Sequence, residues 1–151
     1  RYAAGGENGW MDLNSSSIPL SDLRFGDFDG DGKTDVFSKS GYQWRYSSGG
    51  IDSWVNLNLD AIPLNDLRFG DFNGDGKTDV FAKNCNQWRY SSGGTEPWTY
   101  LNSDVIPIED LRFGDFDGDG KTDVFSKSGD QWQRHKKNRF ADKAQWNTLL
   151  Q

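Results

Sequence analysis

Apolar and polar residues alternate along this chain in short runs, and no long window carries helix-type apolar spacing. Strand-like stretches of four to six residues recur, separated by turns rich in Gly, Asp or Pro. In one stretch the candidates are Leu23 to Phe28, Asp35 to Lys39, Tyr42 to Ser47 and Trp54 to Leu57. Tyr42, Trp44 and Tyr46 fall on one face of their strand, with Gln43 and Arg45 on the other, because side chains alternate across a strand.

The same pattern returns at a fixed interval. Asp22 to Phe37 reads DLRFGDFDGDGKTDVF, and Asp110 to Phe125 is identical. Asp66 to Phe81 differs only at Asn73. The starts are 66 − 22 = 44 and 110 − 66 = 44 residues apart. Flanking phrases keep the period: Gln43 to Gly50 recurs as Gln87 to Gly94, and Ile18-Pro19-Leu20 returns at Ile62 and Ile106. The chain reads as one repeat domain over 1–151, with units at about 1–21 (partial), 22–65, 66–109 and 110–151. Four short strands in such a period are the size of a propeller blade. The expected fold is therefore all-β, with three blades of four antiparallel strands and two strands of a preceding half blade. The last unit departs from the pattern after Trp132: a basic stretch, RHKKNRF, precedes Trp146 to Leu149, and it reads as a cap.

Composition agrees with short strands packed through large rings. Only 34% of the 151 residues are hydrophobic, yet 15% are aromatic, which is foreign to disordered chains. The net charge of −6 argues against a nucleic-acid partner. One cysteine, Cys85, allows no internal disulfide. No apolar run nears the ~20 residues of a spanning helix, and no signal-peptide pattern occurs. The start at Arg1 suggests a processed or truncated chain.

The acidic residues concentrate in three loops of the form D-x-D/N-x-D-G-x-x-D. Oxygen donors at alternate positions converge on one point if the chain curls, and Ca²⁺ takes six to eight oxygens. The first loop offers Asp27, Asp29, Asp31, the Lys33 carbonyl and a bidentate Asp35, with the Lys33 ammonium turned to water. The second offers Asp71, Asn73, Asp75, Lys77 and Asp79; the third offers Asp115, Asp117, Asp119, Lys121 and Asp123. Three bound Ca²⁺ ions are expected. Asn73 drops one charge, so the second site is expected to be the weakest. Glycines such as Gly30 and Gly32 permit the curl. Without a twelfth-position Glu or flanking helices, this is not an EF-hand. Asp-Gly turns alone would not place five oxygen positions alike in three copies.

Phe25 to Val36, with Phe-Gly also at Phe69-Gly70 and Phe113-Gly114, resembles the FG-GAP (VCBS) repeat family. The resemblance covers nearly the whole chain except 133–145. It implies β-propeller blades, as in integrin α-chain heads and calcium-containing propeller lectins, and a secreted or cell-surface setting. Closed propellers hold about four to eight blades. Three and a half blades imply a piece of a longer chain or association, even a filament, through open edges.

No catalytic set is expected. His135 is the single histidine and lies in the basic stretch, and Cys85 replaces a turn glycine. Trp44, Tyr46, Trp88 and Tyr90 are candidates for stacking on a sugar, against a reading in which they pack blade on blade; Trp54 and Trp98 suit either. Asn14-Ser15-Ser16 is a glycosylation sequon. The function expected is a non-catalytic calcium-binding module for adhesion or lectin-like carbohydrate binding. A structural subunit of an extracellular fibre and an accessory propeller of a larger secreted enzyme are the alternatives. The partners expected are glycans, a protein or a second copy of the chain, without insertion into a membrane.

Overall fold

The computed structural model describes residues 1–135, His135 by its backbone alone. The basic stretch beyond it and the strand candidate at Trp146 to Leu149 lie outside the described residues. The described residues form three antiparallel meanders. The first joins β1 (Leu23–Gly26), β2 (Asp35–Ser40), β3 (Gln43–Ser47) and β4 (Val55–Leu59) in the order β1-β2-β3-β4. The second joins β5 (Arg68–Gly70), β6 (Asp79–Asn84), β7 (Gln87–Ser91) and β8 (Thr99–Ser103) in the same way. The third has β9 (Arg112–Gly114), β10 (Asp123–Ser128) and β11 (Gln131–His135). The all-β, blade-like expectation holds, and among the described residues no helix is long and apolar enough to cross a membrane.

Boundaries shift by one to two residues. β1 stops at Gly26 rather than Phe28, because the Asp27 amide and carbonyl bond to Thr78 of the next unit instead of to a neighbouring strand. The half blade is reduced to one bridge, Tyr2 with Met11. Two short strands with no inner strand beside them have little to extend their ladder.

Aromatic rings fill the space between consecutive units. Phe28 stacks on Phe37 at 5.2 Å, and Phe69 of the next unit meets Phe37 edge-on at 4.9 Å. One period later Phe72 stacks on Phe81 at 5.2 Å, and Phe113 meets Phe81 at 5.1 Å. Trp44 and Trp88 are buried in these layers. Polar ties repeat as well: the Lys39 ammonium donates to the Ile62 carbonyl, and Lys83 donates to Ile106.

The glycine of the first two Phe-Gly pairs is explained by this stacking. A Cβ on Gly26 would lie 2.6 Å from Thr78 Cγ2, and one on Gly70 would lie 2.6 Å from Thr122 Oγ1. The residue must be glycine because the following unit presses a threonine against it. Loop to loop, the Lys77 stem lies over Gly30 and the Lys121 stem over Gly74.

Candidate metal centre

Each acidic loop joins the first two strands of its sheet and is held by its own carboxylates. Asp27 accepts the amides of Gly30 at 2.6 Å and Gly32 at 2.8 Å, drawing the chain around itself. Asp71 does the same for Gly74 and Gly76, and Asp115 for Gly118 and Gly120. Gly30 and Gly32 sit at φ 82° and 83°, a region costly for any residue with a Cβ.

The last aspartate ties the loop to the sheet. Asp35 is buried and accepts the Phe28 amide at 2.8 Å and the Gly49 amide at 2.9 Å. Asp79 accepts Phe72 and Gly93 in the same geometry. Burial raises the carboxyl pKa of both above the usual range, against those amide bonds, and neighbouring aspartates add to the rise; Asp79 reaches about 6. These are buried negative charges with a desolvation cost that a cation would offset.

Carboxylate oxygens of Asp27, Asp29 and Asp35 lie within 4.8 Å of one another, and so do those of Asp115, Asp117 and Asp123. Asp31 and Asp119 stand apart from these sets. Asp31 instead binds the Lys33 ammonium at 2.7 Å, which holds its carboxyl below the usual range. The Lys33 side chain stays exposed to water, as expected, while its ammonium pairs with the carboxylate two residues before it. In the second loop the Asn73 amide donates to Asp75 and to Ser92, both at 2.9 Å. Burial raises the Asp75 carboxyl, but hydrogen bonds from Asn73, the Lys77 amide and Ser92 outweigh it and leave the pKa lowered. All donors in these sets are hard oxygens on a curled loop, a donor set that fits Ca²⁺.

The aromatic candidates have a different place. Trp44 is 0% and Trp88 1% exposed, and Trp44 meets Trp98 of the next unit edge-on at 5.7 Å. Tyr90 is buried beside Trp88, and Tyr46 packs half-buried against the cluster that holds Trp44. Their faces serve blade packing, because each strand's inner face is covered by the next unit. This corrects the sugar-stacking expectation for Trp44, Trp88 and Tyr90. Trp54 and Trp98 carry the guanidinium groups of Arg45 and Arg89 at 4.5 and 4.2 Å. The Asn14 amide donates to Asp52 O at 3.2 Å, as Asn58 does to Glu96 O at 2.9 Å. This asparagine thus has a repeated structural bond that attachment of a glycan would disturb. Cys85 sits at φ 53°, where Gly41 and Gly129 have 60° and 57°.

Two contacts go beyond the sequence reading: the threonine that ties the second and third loops each to the loop before it, and Arg134 of β11, which reaches the third loop. Thr34, Thr78 and Thr122 recur beside the last aspartate of every copy, a signal that was present but unread.

Residues 71–126 match the model of the FG-GAP-like repeat. No curated protein and no solved structure matches the chain. The matched segment runs from the second acidic loop to β10, and its loop sequence recurs 44 residues earlier. Residues 71–126 are therefore similar to the FG-GAP-like repeat, and the first unit carries the same loop phrase.

Proposed function

We propose that this chain is a non-catalytic extracellular calcium-binding repeat module that serves adhesion or carbohydrate binding. The convergence of Asp27, Asp29 and Asp35 within 4.8 Å, closed by a buried carboxylate, supports it most directly. Calcium there would be held by these carboxylates and their counterparts in the other loops. It would offset part of the mutual repulsion of eleven loop carboxylates and pin each turn between two strands. The family setting supports an extracellular location, where free calcium is high.

A cleft of about 360 Å³ between the first two units supports a small polar ligand. Asp29, Tyr46, Asn56, Asp75, Lys77 and Glu96 line it, offering one aromatic surface among donors and acceptors. Calorimetric titration with Ca²⁺, followed by a glycan array with and without chelator, tests the reading. Absence of calcium binding at millimolar ion sinks its first half; an empty array sinks the carbohydrate half.

Association through blade edges is favoured by Phe25, Phe116 and Trp132, which are 54%, 52% and 74% exposed on the outer faces of the array. Sedimentation at several concentrations, with and without calcium, checks it; a single monomeric species throughout rejects it.

A further inference from the structure

The three loops share a sequence but not their neighbours. Across the hairpin from each loop, one residue is paired with the central Phe of the preceding strand: Phe37 with Tyr46, Phe81 with Tyr90 and Phe125 with Arg134. In the first two units the position holds a tyrosine. Burial raises the Tyr46 hydroxyl pKa, and the charges of Asp29 and Asp35 add to it, so this position faces the acidic loop. A tyrosine there brings no positive charge.

In the third unit the position holds a guanidinium. Arg134 Nη1 lies 2.5 Å from Asp117 Oδ2 and 3.1 Å from Asp123 Oδ2. These two carboxylates and that of Asp115 are the three that converge within 4.8 Å. The three side chains are 24%, 24% and 12% exposed, so the contact is largely sheltered. An arginine stays charged at any working pH and offers donors in a rigid fork. Among the described residues the first loop has no such group on its converging set: Lys33 is on Asp31, outside that set.

We propose that Arg134 is the resident cation of the third loop, joining Asp117 to Asp123 so that this loop closes without a divalent ion. This rests on the calcium reading of the other loops and refines it. The third site, not the second, then binds calcium most weakly, because an incoming ion must displace or tolerate a guanidinium already bonded to two of its ligands. Restoring the tyrosine of the other units should tighten it roughly ten- to hundredfold, the range for loss of a charge-assisted bond.

The test is a calcium titration of the full chain followed by the amide resonances of Gly32, Gly76 and Gly120, one per loop, in wild type, R134Y and R134Q. The expected result is that Gly120 responds last in wild type and at clearly lower calcium in both variants, while Gly32 is unmoved. Chelated melting gives a second readout: both variants should melt lower than wild type without calcium and regain the difference with it. If R134Y does not fold, R134Q carries the test. Response of Gly120 together with or before Gly76 in wild type, or no change in either variant, overturns the proposal. If no glycine responds in wild type, the calcium reading fails instead. The chelated melts then decide for Arg134: unchanged melting in the variants removes its role in closing the loop.

Discussion

Gly26, Gly70 and Gly114 occupy one position in three repeats, so replacing each with alanine isolates the effect of the following unit. None of the three has a positive φ, so backbone strain does not enter. At Gly26 the new Cβ would lie 2.6 Å from Thr78 Cγ2, 2.7 Å from Oγ1 and 2.9 Å from Cβ. Rotating the threonine swaps its two branches but does not move its Cβ. Its backbone cannot withdraw either, because the Thr78 amide donates to Asp27 O. At Gly70 the distances to Thr122 are 2.6, 2.8 and 3.0 Å. At Gly114, among the described residues, the new Cβ meets only Phe116 carbons at 3.5 and 3.6 Å, an ordinary contact. Overpacking of the first kind costs about 1–3 kcal/mol. A tolerated Gly→Ala change instead stabilises by about 0.4–1 kcal/mol through the unfolded chain. For a chain of this size each kcal/mol moves the melting temperature by about 2–4 °C. Gly26→Ala and Gly70→Ala should therefore melt several degrees lower, while Gly114→Ala should hold or gain. Thermal and urea unfolding of the three variants measure this, and Thr78→Ala in the Gly26→Ala background should recover part of the loss. Equal destabilisation at all three positions, or none at Gly26 and Gly70, would refute the claim that the next unit makes the glycine necessary.

Chelation should lower the melting temperature by several degrees, since an ion held at a hundred times its dissociation constant stabilises by about 2.7 kcal/mol per site; melting that ignores both chelator and calcium contradicts a structural ion. Asp79, with its folded carboxyl pKa at about 6 against about 3.9 unfolded, takes up a proton on folding between those values. Its contribution to the calcium-free protein therefore becomes more favourable as pH falls from above 6 towards 4, as does that of Asp35, also raised. Urea midpoints in chelator at pH 7 and 5 check the direction, and calcium should flatten or reverse it. Trp44→Ala and Trp88→Ala each empty a fully buried site and should cost about 3–5 kcal/mol, whereas Tyr42→Ala, at a residue 67% exposed, should change stability by less than about 0.5 kcal/mol in the same urea titration. Cys85→Gly should stabilise by about 0.5–1 kcal/mol in thermal melts, because it relieves a non-glycine left-handed residue.

Strand positions, blade size, the acidic loops and their glycines were legible in the chain itself. A strand's alternation, a 44-residue period and the left-handed turns at Gly30 and Gly32 are local consequences of which residues follow which. What each local feature meets was not. Trp44 reads as packing, with a sugar platform as the competing reading, until Trp98 is seen against it and decides for packing. The glycine of Phe25-Gly26 has no visible reason within its strand candidate until Thr78, 52 positions on, is found where its Cβ would lie. The first and third loops are letter for letter the same, yet among the described residues only the third has a guanidinium on its carboxylates, because pairing of β10 with β11 brings Arg134 there. Sequence set the donors of each loop; their electrostatic surroundings came from contacts across the hairpin and between units, which no local pattern encodes.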